Sequence, residues 1–189
     1  MSEVHLVFGP QGAGKTTYAR TLAAACGATR LSIDEWMIQL YGPDSPTPLQ
    51  WAWVMERVKR CEQRIWMTAE DIAKTGLAVV LDLGFTKKAS RAKFLGLCEL
   101  ASLPAKLHYV TAAPGLRRAR VLARNTEKGE TFALEITPAI FEFVELQFEP
   151  PDAVELRSTT VVRTGRDAPL PLGMFSEREI DEFKRTGRP

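Results

Sequence analysis

The sequence predicts an α/β protein: a five-stranded, mostly parallel sheet flanked by helices in three layers, with a small helical lid. Three observations predict it. Short apolar or β-branched runs alternate along the chain with stretches of helical periodicity, the pattern of parallel strands joined by crossover helices. A glycine-rich loop, Gly9 to Thr16, stands between the first strand-like run and the first helical one. The length of 189 residues with 45% hydrophobic content suits one core with a small lid. The expected division is a main domain over residues 1–168, its lid near 115–136, and a tail over 169–189 that holds Pro169, Pro171 and Gly173.

Val4-His5-Leu6-Val7-Phe8 reads as a short buried strand. Thr17 to Cys26, with Ala19, Leu22, Ala23 and Ala25, reads as a helix. Gly9-Pro10-Gln11-Gly12-Ala13-Gly14-Lys15-Thr16 between them fits G-x-x-x-x-G-K-[ST], and strand, loop, helix is the context that pattern requires. The glycines let the backbone curl so that successive N–H groups point inward at phosphate oxygens. The helix N-terminus adds its partial positive charge. Lys15 is placed to reach the β- and γ-phosphates of ATP, and the Thr16 hydroxyl to sit on Mg²⁺. Gly9, Gln11, Gly12, Ala13, Gly14 and Thr17 complete the expected nucleotide contacts of this stretch.

Gly27 stops the first helix. Ala28 to Ile33 is a short strand ending at Asp34-Glu35-Trp36. In parallel sheets the ligand crevice lies outside the carboxyl ends of the strands, so Asp34 belongs to the working edge. A carboxylate there can orient an attacking hydroxyl or accept its proton; it can also cap the following helix. Asp34 and Trp36 are therefore candidate acceptor contacts. Tyr41 to Pro48, with three prolines and a glycine, is a loop. Trp51 to Lys74 carries apolar residues at Trp51, Val54, Met55, Val58, Cys61, Ile65, Ala69 and Ile72, which is helical spacing.

Leu77 to Gly84 is the clearest buried strand, and its Asp82 is the expected second acidic element, holding Mg²⁺ through water. A turn aspartate is the plainer alternative. Lys87, Lys88 and Arg91 open the next helix, where cations oppose the helix dipole; Arg91 is the candidate contact for an acceptor anion. Lys106 to Ala112 is the fourth strand. Arg117, Arg120 and Arg124 then share one helical face. Nearby carboxylates are sparse, so a phosphate is the expected partner of all three. Thr137 and Pro138 cap and open another helix, whose Ile140, Phe141, Val144 and Phe148 are expected to face the core. Ser158 to Thr164 is the fifth strand, and Arg166 follows at its carboxyl end, where an adenine ring is expected.

Composition bounds the function classes. Lys plus Arg is 25 and Asp plus Glu is 23, a net charge of +2. That gives no electrostatic case for a long nucleic-acid track. Cys26, Cys61 and Cys98 are expected as buried free thiols, and no metal-ligand spacing surrounds them. No apolar run reaches the length of a membrane span. The cytoplasm is the expected location.

Over residues 3–165 the chain resembles the small P-loop kinases related to zeta toxin and polynucleotide kinase, a group of AAA-type ATP-binding domains. Gly9 to Thr16 carries the resemblance most specifically; Asp34-Glu35-Trp36, Leu81-Asp82-Leu83-Gly84 with Arg91, the Arg117–Arg124 helix and Phe148-Glu149-Pro150-Pro151 add to it. The resemblance implies the three-layer P-loop NTPase fold. It implies ATP and Mg²⁺ at Lys15 and Thr16, Asp34 as base, and Arg120 and Arg124 as lid arginines. The expected activity is transfer of the γ-phosphoryl of Mg-ATP to a hydroxyl of a small acceptor. A polynucleotide 5′-hydroxyl kinase, a nucleotide-sugar kinase like zeta toxin, and an ATP-binding switch that transfers nothing stand as alternatives. The resemblance leaves the acceptor and the oligomeric state open.

Overall fold

The computed structural model describes residues 2–127 and 137–165. Residues 128–136 of the expected lid, Arg166 and the tail named above lie outside them. Five strands form one sheet: β1 (Val4–Phe8), β2 (Thr29–Ser32), β3 (Val79–Gly84), β4 (Ala105–Thr111) and β5 (Thr159–Arg163). Their order is β2-β3-β1-β4-β5, and every pairing is parallel. Val4 pairs with Val79 on one side and Ala105 on the other, so β1 is central. Its five residues are all buried, as a strand covered on both faces requires.

Seven helices among the described residues make the connections: α1 (Lys15–Cys26), α2 (Ile33–Tyr41), α3 (Trp51–Lys74), α4 (Lys88–Leu100), α5 (Pro114–Glu127), α6 (Pro138–Gln147) and α7 (Ala153–Arg157). The core is split by the sheet. On one face Val4, Leu6 and Phe8 pack with Ile65, Trp66, Ala69, Phe94 and Leu81. On the other, Val7, Val80, Val110 and Val162 pack with Tyr18, Ala19 and Leu22 of α1. Alternate residues of β1 thus serve opposite faces, as the pleat dictates.

Several elements differ in detail from the sequence reading. Ile33 begins α2 rather than ending β2, and Ser32, not Asp34, is its N-cap, accepting the Glu35 amide at 3.4 Å. The helix α7 is absent from the sequence reading because it is one turn long. It is set by a capping box, in which Asp152 accepts from the Val154 and Glu155 amides and Glu155 reaches back to the Asp152 amide. On α6 the Thr137 cap and Pro138 start are as expected; Phe141 is buried and Phe148, at its end, packs against the core, whereas Ile140 is exposed. Cys61 and Cys98 are buried thiols, whereas Cys26 is exposed at the last position of α1.

Beneath the glycine loop runs a buried polar chain. Tyr18 Oη lies 2.9 Å from His108 Nδ1, and His108 Nε2 lies 3.0 Å from His5 Nδ1. His5 Nε2 lies 3.8 Å from Glu3, which pairs with Lys106. If the Tyr18 hydroxyl donates to His108 Nδ1, His108 Nε2–H donates to His5 Nδ1, and His5 Nε2–H faces the Glu3 carboxylate. The reverse order points a lone pair at Glu3, so the first assignment is favoured. Burial pushes His108 down to about 4, helped by His5 and Lys106, and burial lowers His5 as well.

Both histidines are therefore neutral in the fold, and acid is expected to destabilise it. The unfolded chain takes up protons near pH 6.5, before the folded chain does. The stabilisation is complete above that value and is lost as pH falls from 6.5 toward 4. At about 1.4 kcal/mol per pH unit, His108 alone accounts for a loss of about 3 kcal/mol at pH 4. Urea midpoints measured from pH 8 to 5 are expected to hold steady to about pH 7 and then fall; a flat profile down to pH 5 contradicts the neutral pair.

Candidate active site

The loop between β1 and α1 owes its path to close backbone approach. At Gly9 φ is +148°, and a Cβ there would overlap the carbonyl oxygen of Val110 on β4. At Gly12 φ is +77°, and a Cβ would overlap the carbonyl of Arg117 on α5. Only glycine fits these two positions. Gly14 is the N-cap of α1 in the left-handed region, so the first amides of the helix open toward the loop. Lys15 folds back over it, its Nζ donating to the Pro10 carbonyl at 3.0 Å. Burial lowers the Lys15 pKa, while Asp82 and Asp34 oppose that and Arg124 and Arg117 add to it.

The carboxylates arrive from the strands alongside. Asp82 sits at the carboxyl end of β3, buried, next to Ser32 of β2. Burial raises its pKa, opposed by Arg30 and Lys15 and by a hydrogen bond with the Thr16 side chain. Arg30 Nη1 donates to Asp82 Oδ2 at 2.9 Å, and the same guanidinium pairs with Glu35, which also lies 3.5 Å from Arg20. Asp34 stands in the first turn of α2. Its surface is accessible, but protein surrounds it on enough sides that desolvation raises its pKa; Lys15 and Arg124 pull the other way.

The three arginines of α5 part company. Arg117 is buried and pairs with both oxygens of Glu145 on α6 at 2.5 and 2.6 Å. It also donates to the carbonyls of Ala112 and Gln11. Its expected role as a nucleotide contact is thereby corrected: it fastens α6 and the glycine loop to α5. The sequence reading missed Glu145 because it lies on another helix, far along the chain. Arg120 is half-buried and donates to Thr164 Oγ1 at 2.7 Å and weakly to the Gly12 carbonyl at 3.5 Å. Thr164 in turn donates to the Ala13 carbonyl at 2.7 Å. Arg124 is half-buried and close enough to act electrostatically on both Lys15 and Asp34.

Arg91 is also corrected. It is fully buried, with both oxygens of Glu155 at 2.7 and 2.9 Å, the carbonyls of Phe85 and Glu149 on Nη1, and the Phe8 ring beneath it at 4.7 Å. Four of its five N–H groups are committed to the core, and the side chain has no exposed surface at which to meet an acceptor anion. Lys87 and Lys88, the other cations at this helix start, face Glu149 and Asp152. Trp36 is half-buried and packs against the hydrophobic core, and the Thr17 side chain is exposed on the first turn of α1. The structure thus brings Gly9 to Thr16, Asp34, Asp82, Arg120 and Arg124 to one edge of the sheet. It adds Arg30, Glu35 and Thr164, which sequence reasoning missed. Arg30 carried no signal because its partner lies across the sheet. Thr164 carried only its place at the end of the last strand.

Comparison with known proteins agrees with this architecture. A family model described as an AAA domain matches residues 4–142. No curated protein matches the chain in sequence. Among solved structures, a candidate kinase from Chloroflexus aurantiacus superposes with a TM-score of 0.72 at 18% identity, covering 97% of each chain. Kti12 from Chaetomium thermophilum, solved with ADP-AlF3, gives 0.64 at 17% identity over 96% of each. The APS kinase of Mycobacterium tuberculosis, solved with AMPPNP and APS, gives 0.57 at 16% identity over 97% of this chain and 98% of that one. At these identities the likeness is one of fold. Among the described residues no helix is long and apolar enough to cross a membrane. The all-parallel sheet in the order β2-β3-β1-β4-β5, the glycine loop that leads from its central strand into α1, and the family match over most of its length place the chain in the AAA-domain family, with the fold of the P-loop kinases.

Proposed function

We propose that the protein is a phosphotransferase that moves the γ-phosphoryl group of Mg-ATP to a hydroxyl of a small acceptor. The observation that carries this reading is Asp34. It is a carboxylate at the mouth of the site, within electrostatic reach of Lys15 and Arg124. A protein that only binds nucleotide has no need of it there.

The residues present fit Mg²⁺. Among the described residues no cluster of three or more histidines, cysteines and carboxylates forms a dedicated metal cage. Magnesium instead takes one or two hard protein oxygens and completes its shell with water and phosphate. The Thr16 hydroxyl, bonded to Asp82, offers that pair. Thr16 and Asp82 would hold the ion, which would supply charge neutralisation to the phosphates.

The chain's own groups supply the rest. Amides of the glycine loop and the start of α1 cradle the phosphates, and Lys15 exchanges the Pro10 carbonyl for phosphate oxygens. Arg30 holds one oxygen of Asp82, fixing the carboxylate beside Thr16. Asp34 orients the acceptor hydroxyl and takes its proton as the new P–O bond forms. The bond from the γ-phosphorus to the bridging oxygen breaks, and ADP leaves. Arg124, with Arg120 once it is released from Thr164, stabilises charge on the transferring group. Positioning and electrostatics carry the reaction, with no covalent intermediate.

Asp34→Asn keeps the shape of the side chain and removes its basicity. It is expected to lower acceptor-dependent ADP release by on the order of 10²-fold or more, with ATP affinity within about twofold on calorimetric titration. A switch protein would show the same ATP affinity and no acceptor-dependent release in either form. The acceptor panel spans nucleosides, nucleotide sugars, sugars, aminoglycosides and 5′-hydroxyl oligonucleotides. The 5′-hydroxyl oligonucleotides and the nucleotide sugars test the polynucleotide-kinase and zeta-toxin-like readings directly.

A further inference from the structure

Helix α3 is longer than the sheet it packs on. Its 24 residues rise about 36 Å, whereas the six residues of β3 span about 20 Å. Its buried residues begin at Cys61 and run through Ile65, Trp66, Ala69 and Ala73. Because α3 leads back to the amino end of β3, its first ten residues project past the carboxyl edge of the sheet. They stand beside α2, whose first turn carries Asp34.

The two helices meet there through Tyr41, Trp53 and Arg57. The Arg57 guanidinium lies 3.8 Å from the Trp53 ring centroid and 5.6 Å from that of Tyr41. The two rings meet edge to face. Two aromatic faces hold the guanidinium plane in place. Its Nη1 donates to the Trp53 carbonyl at 3.1 Å and lies 3.6 Å from Glu56. Glu56 also pairs with Arg60, so one carboxylate serves two guanidinium groups. Arg57 Nε is buried and has no hydrogen-bond partner among the described residues. A buried donor on a charged group that is left unpaired is costly, and it calls for an acceptor. The Nε side is also the edge of a guanidinium that a carboxylate or phosphate takes through two parallel bonds. The side chain as a whole keeps 21% of its surface.

Asp34, Ile38 and Tyr41 fall at i, i+4 and i+7 of α2, on one face. The carboxylate and the cation–aromatic cluster therefore line the same side of the helix, about 10 Å apart along its axis. From this placement, and resting on the phosphotransferase reading above, we infer that the acceptor is an anionic hydroxyl compound. Its carboxylate or phosphate is held by Arg57 between Tyr41 and Trp53 while its hydroxyl lies at Asp34.

The test uses matched sets that share a skeleton and differ in charge: D-gluconate, D-glucose 6-phosphate and D-glucose; D-glycerate, glycerol phosphate and glycerol; adenosine 5′-phosphate and adenosine. Binding is read from the Trp53 indole N–H resonance, assigned with Trp53→Phe, on the full chain saturated with a non-hydrolysable ATP analogue. Transfer is read from ADP release. At least one anionic member is expected to shift that resonance saturably and to be phosphorylated, with its neutral counterpart at least tenfold weaker. The carboxylate and phosphate arms show which anion is the natural one. Arg57→Gln is expected to raise the KM for that acceptor at least tenfold, with kcat within about threefold and the KM for ATP unchanged. Arg57→Lys is expected to recover only part of the loss. Circular dichroism checks that both variants fold.

The inference is overturned if neutral members bind or react as well as anionic ones, if Arg57→Gln leaves acceptor KM unchanged, or if no anionic member shifts Trp53. In those cases, transfer to a neutral acceptor that Asp34→Asn abolishes still upholds the phosphotransferase reading. Anion binding at Trp53 with no ADP release from any acceptor overturns both.

Discussion

Lys15→Ala is expected to lower acceptor-dependent ADP release on the order of 10³-fold, about 4 kcal/mol of transition-state stabilisation. The ammonium group is desolvated where it lies, and Asp34 and Asp82 oppose the loss of its charge. With its neighbours fixed, a charge in such a place acts on phosphate oxygens without the reorganisation that water would need. In this fold its ammonium donates to the Pro10 carbonyl, a bond that a phosphate can replace. The variant should stay folded, since the side chain is only half-buried. Rapid-quench transfer and ADP titration check the two halves: kcat should fall much further than nucleotide affinity. A loss of less than about tenfold in transfer would remove Lys15 from the chemistry.

Arg91→Met should act on stability rather than on the reaction. The substitution keeps most of the volume over Phe8 but leaves Glu155 without its partner in a site where only 11% of that side chain is exposed. It also strands the carbonyls of Phe85 and Glu149. Breaking one side of such a buried pair costs about 3–5 kcal/mol. For a chain of this size, that corresponds to a fall of roughly 10 °C in Tm. Scanning calorimetry measures it directly, and ATP affinity measured well below the transition should be unchanged. A variant of normal Tm with a raised acceptor KM would restore the role that the sequence suggested.

The contrast between these two residues shows what was legible in the sequence. Lys15 is held by a local pattern: eight consecutive residues specify a loop, its glycines and the helix that follows, and no distant partner is needed to place it. The strands were legible for a similar reason, since burial on both faces of a parallel sheet writes unbroken apolar runs such as Val79-Val80-Leu81. Arg91 and Arg117 are basic residues on helices whose counter-charges lie elsewhere. Glu155 belongs to a one-turn helix and Glu145 to a helix beyond the lid tip. A helical face of arginines looks unneutralised until tertiary structure brings its carboxylates. The same limit hid Arg30 and Thr164, whose roles exist only because the strand order sets β2 against β3 and brings the end of β5 over the loop. Asp34 was legible in place but not in detail: Ser32 takes the capping role, and that leaves the aspartate free for other partners.

The strand order also sets a timetable. Val4 of β1 has its nearest strand partners at Val79 and Ala105, and Thr29 of β2 also waits for Val79. No strand of the sheet can pair until the third has left the ribosome, and β1 has one open edge until the fourth does. Contacts of such long range are slow to form, because loop closure comes before any reward. Helices α1 and α3, which need only local bonds, precede the sheet. Meanwhile the apolar run Val4–Phe8 is without its strand partners. The glycine loop hangs from this late strand and rests at Gly9 against Val110 of β4. A nascent chain therefore carries the whole phosphate-binding motif long before it can grip a nucleotide; ATP meets a formed site only once β4 has docked.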